Sequence, residues 1–221
     1  MVGLIPLNIA IYGAGGHGGV VAEAAQLRWP QADIVYVDDK KQGVASDDRP
    51  ILPFDGLPDN CAIALGIGRN CSRVAATERV LQLGHNLLVV AHPEASISPT
   101  SSFGPATYIG PRAIIHSQTE IGTAVIVNSG AIVEHDCTIS DFAHIGPGAI
   151  LAGGVRVGPR SLIGIGARVL PGVTIGTESA IGAGAIVTSD VPDGVTVAGI
   201  PARIIKDTND LPTTGLIDPS Y

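Results

Sequence analysis

The chain has 221 residues, is 45% hydrophobic but only 4% aromatic, contains 29 glycines and carries a formal net charge of −7. No Lys/Arg block is present, which argues against a nucleic-acid footprint or an anionic membrane surface. The three cysteines, Cys61, Cys71 and Cys137, form no CxxC motif, and the N-terminus lacks the basic segment and cleavage site of a signal peptide, so a reduced, cytoplasmic setting is expected.

From residue 8 to about 90, short β-rich runs alternate with helical stretches. The segments NIAIY, DIVYV, CAIAL and NLLVV read as four strands, with helices across GVVAEAAQLR and SRVAATERVLQLG. This order predicts a small Rossmann-like parallel sheet with helices packed on it, an α/β unit spanning residues 1–95. Between the first strand and the first helix lies YGAGGHGG, Tyr12 to Gly19. Gly13, Gly15 and Gly18 satisfy GxGxxG, and Asp38 stands twenty residues after Gly18 at the end of the second strand. Glycines let a phosphate approach the backbone, and the helix N-terminus favours the anion. Four strands make only half of a full dinucleotide-binding domain, so the preferred reading is a mononucleotide or nucleotide-sugar site. An NAD site and an unliganded glycine loop are the alternatives.

From Ile97 the period becomes six. Sixteen consecutive hexads open on a large apolar residue, from Ile97 and Phe103 through Val133, Ile139 and Ile145 to Val187, and four positions later the residue is always small or β-branched. One large residue per short strand fills a narrow interior, and the small one lets the chain turn, which describes a solenoid of stacked parallel strands. The pattern resembles the hexapeptide-repeat left-handed parallel β-helix. That resemblance implies a triangular coil of eighteen residues, an all-β domain over residues 96–206, and a closing segment at VAGIPARII. Residues 207–221 are expected to form a loop or extended tail.

An eighteen-residue coil stacks residue i on i+18. His135, flanked by Glu134 and Asp136 in IVEHDCTISDFAHIG, then stacks beside Gly153. A carboxylate can orient an imidazole, and a glycine N–H can donate to a developing oxyanion, so the group is suited to acyl transfer. His144 falls on another side of the coil and is expected to join His135 only across a subunit boundary; an exposed bystander is the alternative. His116, His135 and His144 occupy different slots and sides, so no metal site is expected. Cys137 takes a small inward slot and reads as packing, not as a nucleophile.

The ordered set YGAGGHGGVVAE, YVDD, LGIGRN, AHPEASISP, EHDCTISDFAHIGPGA and VAGIPARI resembles the bacterial sugar O/N-acyltransferases, the sialic acid O-acetyltransferases and nucleotide-amino-sugar N-acetyltransferases, over residues 8–206. The resemblance implies a homotrimer with acetyl-CoA bound between neighbouring β-helices. It implies that His135 is the general base, assisted by Asp136, and that His144, Ile165 and Ala183 contact the cofactor; Gly153, stacked beside His135, is expected to meet the acetyl end of the same cofactor. Gly15, Gly16, His17, Asp38, Asp39 and Gly68 would hold the nucleotide sugar. The expected activity is N-acetylation of a UDP- or GDP-linked amino sugar, with O-acetylation of a sialic acid or related sugar as the alternative.

Overall fold

The computed structural model describes residues 8–58 and 61–207; the expected tail lies outside the described residues, apart from Asp207. The N-terminal unit runs β1 (Asn8–Tyr12), α1 (Gly16–Arg28), β2 (Asp33–Val37), β3 (Gly43–Val44), β4 (Pro50–Leu52), β5 (Ala62–Leu65), α2 (Asn70–Gln82) and β6 (Asn86–Leu87). The sheet order is β3-β4-β2-β1-β5-β6, parallel throughout except for the β3–β4 pair. The sheet therefore has six strands, two more than the hydrophobic runs predict. The extra pair, β3 and β4, is too short for a period of two to register.

Helices cover both faces of the sheet, which is why β1 is apolar through Ile9, Ala10 and Ile11. Ile9, Ile11, Ile34 and Tyr36 pack on Val21, Ala22 and Ala25 of α1. Ala10, Val37, Ile63 and Leu65 form the opposite layer with Ala76 and Val80 of α2. Both layers continue into the solenoid, through Val90, Tyr108 and Ile126 on the α1 side and Ala106 and Ala124 on the α2 side.

The NLLVV run is divided between the two units. Asn86–Leu87 pairs with β5, whereas Val90–Ala91 pairs with Tyr108–Ile109 and starts the solenoid. The first solenoid strand thus lies before residue 96, one hexad earlier than the repeat read from Ile97. The phase was hidden because Ala91 opens that hexad in place of a large residue.

The solenoid has three faces with strands eighteen residues apart. The first carries Val90–Ala91, Tyr108–Ile109, Ile126–Val127, His144–Ile145, Leu162–Ile163 and Ala180–Ile181. The second carries Ser96–Ile97, Ile114–Ile115, Ile132–Val133, Ile150–Leu151, Arg168–Val169 and Ile186–Val187, and the third Ser102–Phe103, Glu120–Ile121, Thr138–Ile139, Arg156–Val157 and Thr174–Ile175. The hexad-opening residues from Ile109 to Val187 fill the core. An antiparallel pair, Val195–Gly199 with Ala202–Asp207, closes the first face.

At three corners the polar small slot makes one repeating bond, whereas the Ser101 hydroxyl donates to the Ser98 carbonyl of its own turn at 2.7 Å. The hydroxyls of Thr107, Thr119 and Ser161 donate to the carbonyls of Gly122, Glu134 and Gly176, fifteen residues on, at 2.8, 3.0 and 2.5 Å. Cys137 occupies the same slot, buried, with its thiol 3.3 Å from the Ala152 carbonyl. Burial pushes that thiol's pKa up, as for a packing group. Ser179 departs from the rule and reaches the Pro192 carbonyl, thirteen residues on, at 2.6 Å. The last coil is two residues short: Ile175 bridges Val191 and Ile181 pairs with Val197. The sixteenth hexad is therefore truncated, and Val191 stands in the large-residue position instead of the small slot.

Candidate active site

His135 lies in the turn between the second and third faces. Its Nδ1 is 2.6 Å from Asp136 Oδ2, and both side chains are exposed, at 60% and 62%. Asp136 has φ 60°, a left-handed conformation that Asp tolerates better than most residues. A carboxylate can only accept, so Nδ1 carries the proton, and in the neutral imidazole Nε2 keeps its lone pair.

Gly153 lies one coil away, directly under the ring. A Cβ at residue 153 would stand 2.7 Å from His135 Cε1 and 2.8 Å from Nε2. The glycine leaves room for the ring in this position, which a side chain at residue 153 would displace. The Gly154 N–H donates to the His135 carbonyl at 2.9 Å, while the Gly153 N–H has no protein acceptor among the described residues. The pair therefore sets an exposed imidazole beside an open backbone donor.

Ile165 and Ala183 occupy a different edge, between the first and second faces. They are one coil apart and both exposed, with Ile165 at 61%; the Gly184 N–H donates to the Ile165 carbonyl at 2.8 Å. Within one chain, the second face separates this edge from the His135 edge.

His144 sits on the first face, where the N-terminal unit packs. Its Nε2 is 3.1 Å from Asn128 Nδ2, and the Gly68 backbone lies beside it. The spacing of the coil gives His144 a role only through a neighbouring chain. Here it also touches a loop of its own N-terminal unit, because that unit covers the face on which His144 lies. Burial, with the nearby Arg73 and His17, depresses its pKa to about 3. His17, at the start of α1, is depressed to about 4 by burial and Arg73. It packs edge-on against Tyr108 with ring centroids 5.3 Å apart. His17 Nε2 and Tyr108 Oη are buried without hydrogen-bond partners among the described residues.

The glycine loop is tightly crossed. A Cβ on Gly18 would lie 1.9 Å from the Gly13 carbonyl oxygen, whereas Gly15 and Gly16 face open space. Asp38 anchors the loop by accepting the Ala14 N–H at 2.9 Å, along with those of Lys40 and Lys41. Although partial burial opposes it, these backbone donors hold the Asp38 pKa below its ordinary value. Asp39 turns the other way. Its carboxylate accepts the Tyr12 hydroxyl at 2.5 Å and pairs with Arg79, so the two adjacent aspartates do not form one carboxylate cluster.

Three more residues shape the site without having been singled out in the sequence: Asn128, Tyr108 and Arg73. Asn128 has a signal, since it stands sixteen residues before His144 on the neighbouring rung. Among the described residues, no group of three or more His, Cys, Asp or Glu side chains is placed to hold a metal ion.

The N-terminal unit matches the family described as PglD N-terminal domain over residues 8–80, and the solenoid matches bacterial transferase hexapeptide (six repeats) over residues 154–189. The acetyltransferase domain of PglB from Neisseria gonorrhoeae FA1090, solved with acetyl coenzyme A, is 38% identical with a TM-score of 0.87, covering 90% of this chain and 99% of that one. The chain belongs to the bacterial sugar N-acetyltransferase family. A variant of another such acetyltransferase, perosamine N-acetyltransferase from Caulobacter crescentus, was solved with CoA and GDP-perosamine. It is 34% identical, with a TM-score of 0.84 and coverage of 94% of this chain and 99% of that one. WeeI from Acinetobacter baumannii AYE is 29% identical, with a TM-score of 0.85 and coverage of 89% and 99%. No curated protein sequence matches the chain. As a member of this sugar acetyltransferase family, the protein is an enzyme.

Proposed function

We propose that the protein transfers the acetyl group of acetyl-CoA to the amino group of a nucleotide-linked amino sugar. The observation that carries this reading is the His135–Asp136 pair set over the open Gly153 N–H. The related structures with acetyl coenzyme A and with CoA plus GDP-perosamine support it.

The sugar amine attacks the thioester carbonyl while His135 Nε2 takes its proton. Asp136 holds Nδ1 and stabilises the imidazolium that forms. The tetrahedral oxyanion accepts the Gly153 N–H. The C–S bond then breaks, and the sulfur leaves as CoA thiol with the proton returned by His135. Ile165 and Ala183 line the cofactor track, joined by His144. Gly15, Gly16, His17, Asp38 and Gly68 hold the nucleotide sugar, and Asp39 supports the same strand end through Tyr12 and Arg79.

A homotrimer completes the site in this reading, because the His135 edge and the Ile165 edge flank one face of the same chain. That second face turns Ile114, Ile132 and Ile150 outward in register, with Ser96 before them and Arg168 and Ile186 after them, whereas the third presents Ser102, Glu120, Thr138, Arg156 and Thr174. The apolar face suits burial against a second copy. The co-substrate and the unpaired cysteines favour action in the cytoplasm, and no described helix is long and apolar enough to cross a membrane.

The test is thiol release from acetyl-CoA with GDP- and UDP-linked 4-amino sugars, alongside hydroxyl acceptors such as sialic acid. Acetylation of a nucleotide amino sugar that falls about 10²–10⁴-fold in His135→Ala is expected. Near-normal turnover by that variant would falsify the role of His135, and transfer to hydroxyl acceptors alone would replace N- with O-acetylation.

A further inference from the structure

Arg73 lies on α2 at helical spacing from the buried Ala76, Thr77 and Val80, and is itself 1% exposed. No described carboxylate pairs with its guanidinium. Its donors end instead on oxygens from two units. Nε donates to the Ala124 carbonyl at 2.9 Å; Nη1 to the Gly68 carbonyl at 2.7 Å and that of Ile67 at 3.4 Å. Nη2 donates to the carbonyls of Phe142 at 2.8 Å and Ala143 at 3.2 Å, and to Asn70 Oδ1 at 3.1 Å. Asn70 extends the set, donating to the carbonyls of Arg160 at 2.7 Å and Ser161 at 3.3 Å. Ala124, Phe142 and Arg160 are successive rungs of one solenoid edge, so two α2 side chains grip three coils.

Burying a cation without a counter-ion is costly, and apolar packing would join two surfaces at lower cost. What the guanidinium provides is geometry, because its planar fork fixes several acceptors at once. One of those acceptors is Gly68, whose backbone also lies beside His144. We infer that Arg73 is a positioning residue for the transfer reaction. It locks the Ile67–Gly68 loop onto the solenoid in one register, so that a bound nucleotide sugar is presented to the transfer edge at a fixed spacing. This inference rests on the nucleotide-sugar reading above.

Arg73→Lys keeps the charge but lacks the fork, and Arg73→Gln removes the charge. Both are titrated with UDP, GDP and dTDP, and separately with CoA, alongside thermal melts. Affinity for whichever diphosphate the wild type binds is expected to fall about tenfold or more in both variants, with CoA affinity held within about twofold. A purely structural role would lower the melting temperature without this selective loss. Unchanged diphosphate affinity in folded Arg73→Lys overturns the inference. Should both variants fail to fold, Asn70→Ala carries the test, since it releases the Arg160 and Ser161 carbonyls and one acceptor of Arg73. A selective loss of diphosphate affinity there supports the lock, and unchanged affinity overturns it. A wild type that binds none of the three diphosphates overturns the nucleotide-sugar reading and the lock together, a result distinct from any variant effect.

Discussion

His135 and Gly153 share one space: the imidazole fills the volume that any side chain at residue 153 would need, with a Cβ there only 2.7 Å from the ring. Gly153→Ala therefore displaces the ring without disturbing the apolar core. Because small misplacements of a reacting group are expensive, kcat is expected to fall on the order of 10–10²-fold, with little change in melting temperature. Steady-state kinetics with a thermal melt as control measures both. An unchanged kcat would show that the ring position is not needed for transfer.

Asp136→Asn separates the charge of the orienting group from its shape. Asn also accepts the left-handed backbone that residue 136 adopts at φ 60°, so the turn persists. The neutral amide can hold His135 in either tautomer and offers no charge to an imidazolium. The expected result is a kcat loss on the order of 10²-fold with nearly constant KM for acetyl-CoA. If KM rises while kcat holds, Asp136 acts on binding instead.

The solenoid was legible because its physics is one-dimensional. A narrow interior admits one large side chain per strand, and that restriction prints Val133, Ile139 and Ile145 at a fixed interval. The eighteen-residue coil, which the resemblance to the hexapeptide-repeat β-helix implies, then stacks His135 beside Gly153. The seam between the two units left no such print. Spacing says which face holds His144 but not what packs against it, and Arg73 within SRVAATER resembles an ordinary solvated helix cation. Its only signal is the helical spacing to Ala76, Thr77 and Val80, which places it on the buried side. Nor does a YVDD segment reveal that Asp38 turns toward the glycine loop and Asp39 toward Arg79. The truncated last coil was hidden because Val191 fits either the small slot or the large one.

The seam histidines make stability depend on pH. The folded pKa values, about 4 for His17 and about 3 for His144, lie below the ordinary value near 6.5. Below pH 6.5 the unfolded chain takes up protons that the folded chain refuses, so stability falls as pH falls. The loss accumulates from about pH 6.5 down to pH 4 for His17 and pH 3 for His144, with a slope of at most about 1.4 kcal/mol per pH unit for each. Carboxylates titrate at the lower end of this window, so the variant comparison isolates the effect. Urea unfolding between pH 4.5 and 7 should give a shallower pH dependence for His144→Asn than for the wild type. Equal slopes would mean that His144 is not shielded from protonation.

The outward isoleucines of the second face provide the test of assembly. Ile132 pairs with Ile114 on one side and Ile150 on the other, so Ile132→Glu places a charge in the middle of the apolar ladder. In an isolated chain the position is half-buried, and a glutamate there can still reach water, so the fold should survive. Against a second copy the same carboxylate would be stripped of water without a partner, at a cost of several kcal/mol. Sedimentation equilibrium should therefore show a trimer for the wild type and predominantly monomer for Ile132→Glu, with circular dichroism unchanged. Activity should fall in parallel, because the His135 edge and the Ile165 edge of one chain lie on opposite sides of this face. A folded, monomeric variant that retains full turnover would place the whole site within a single chain.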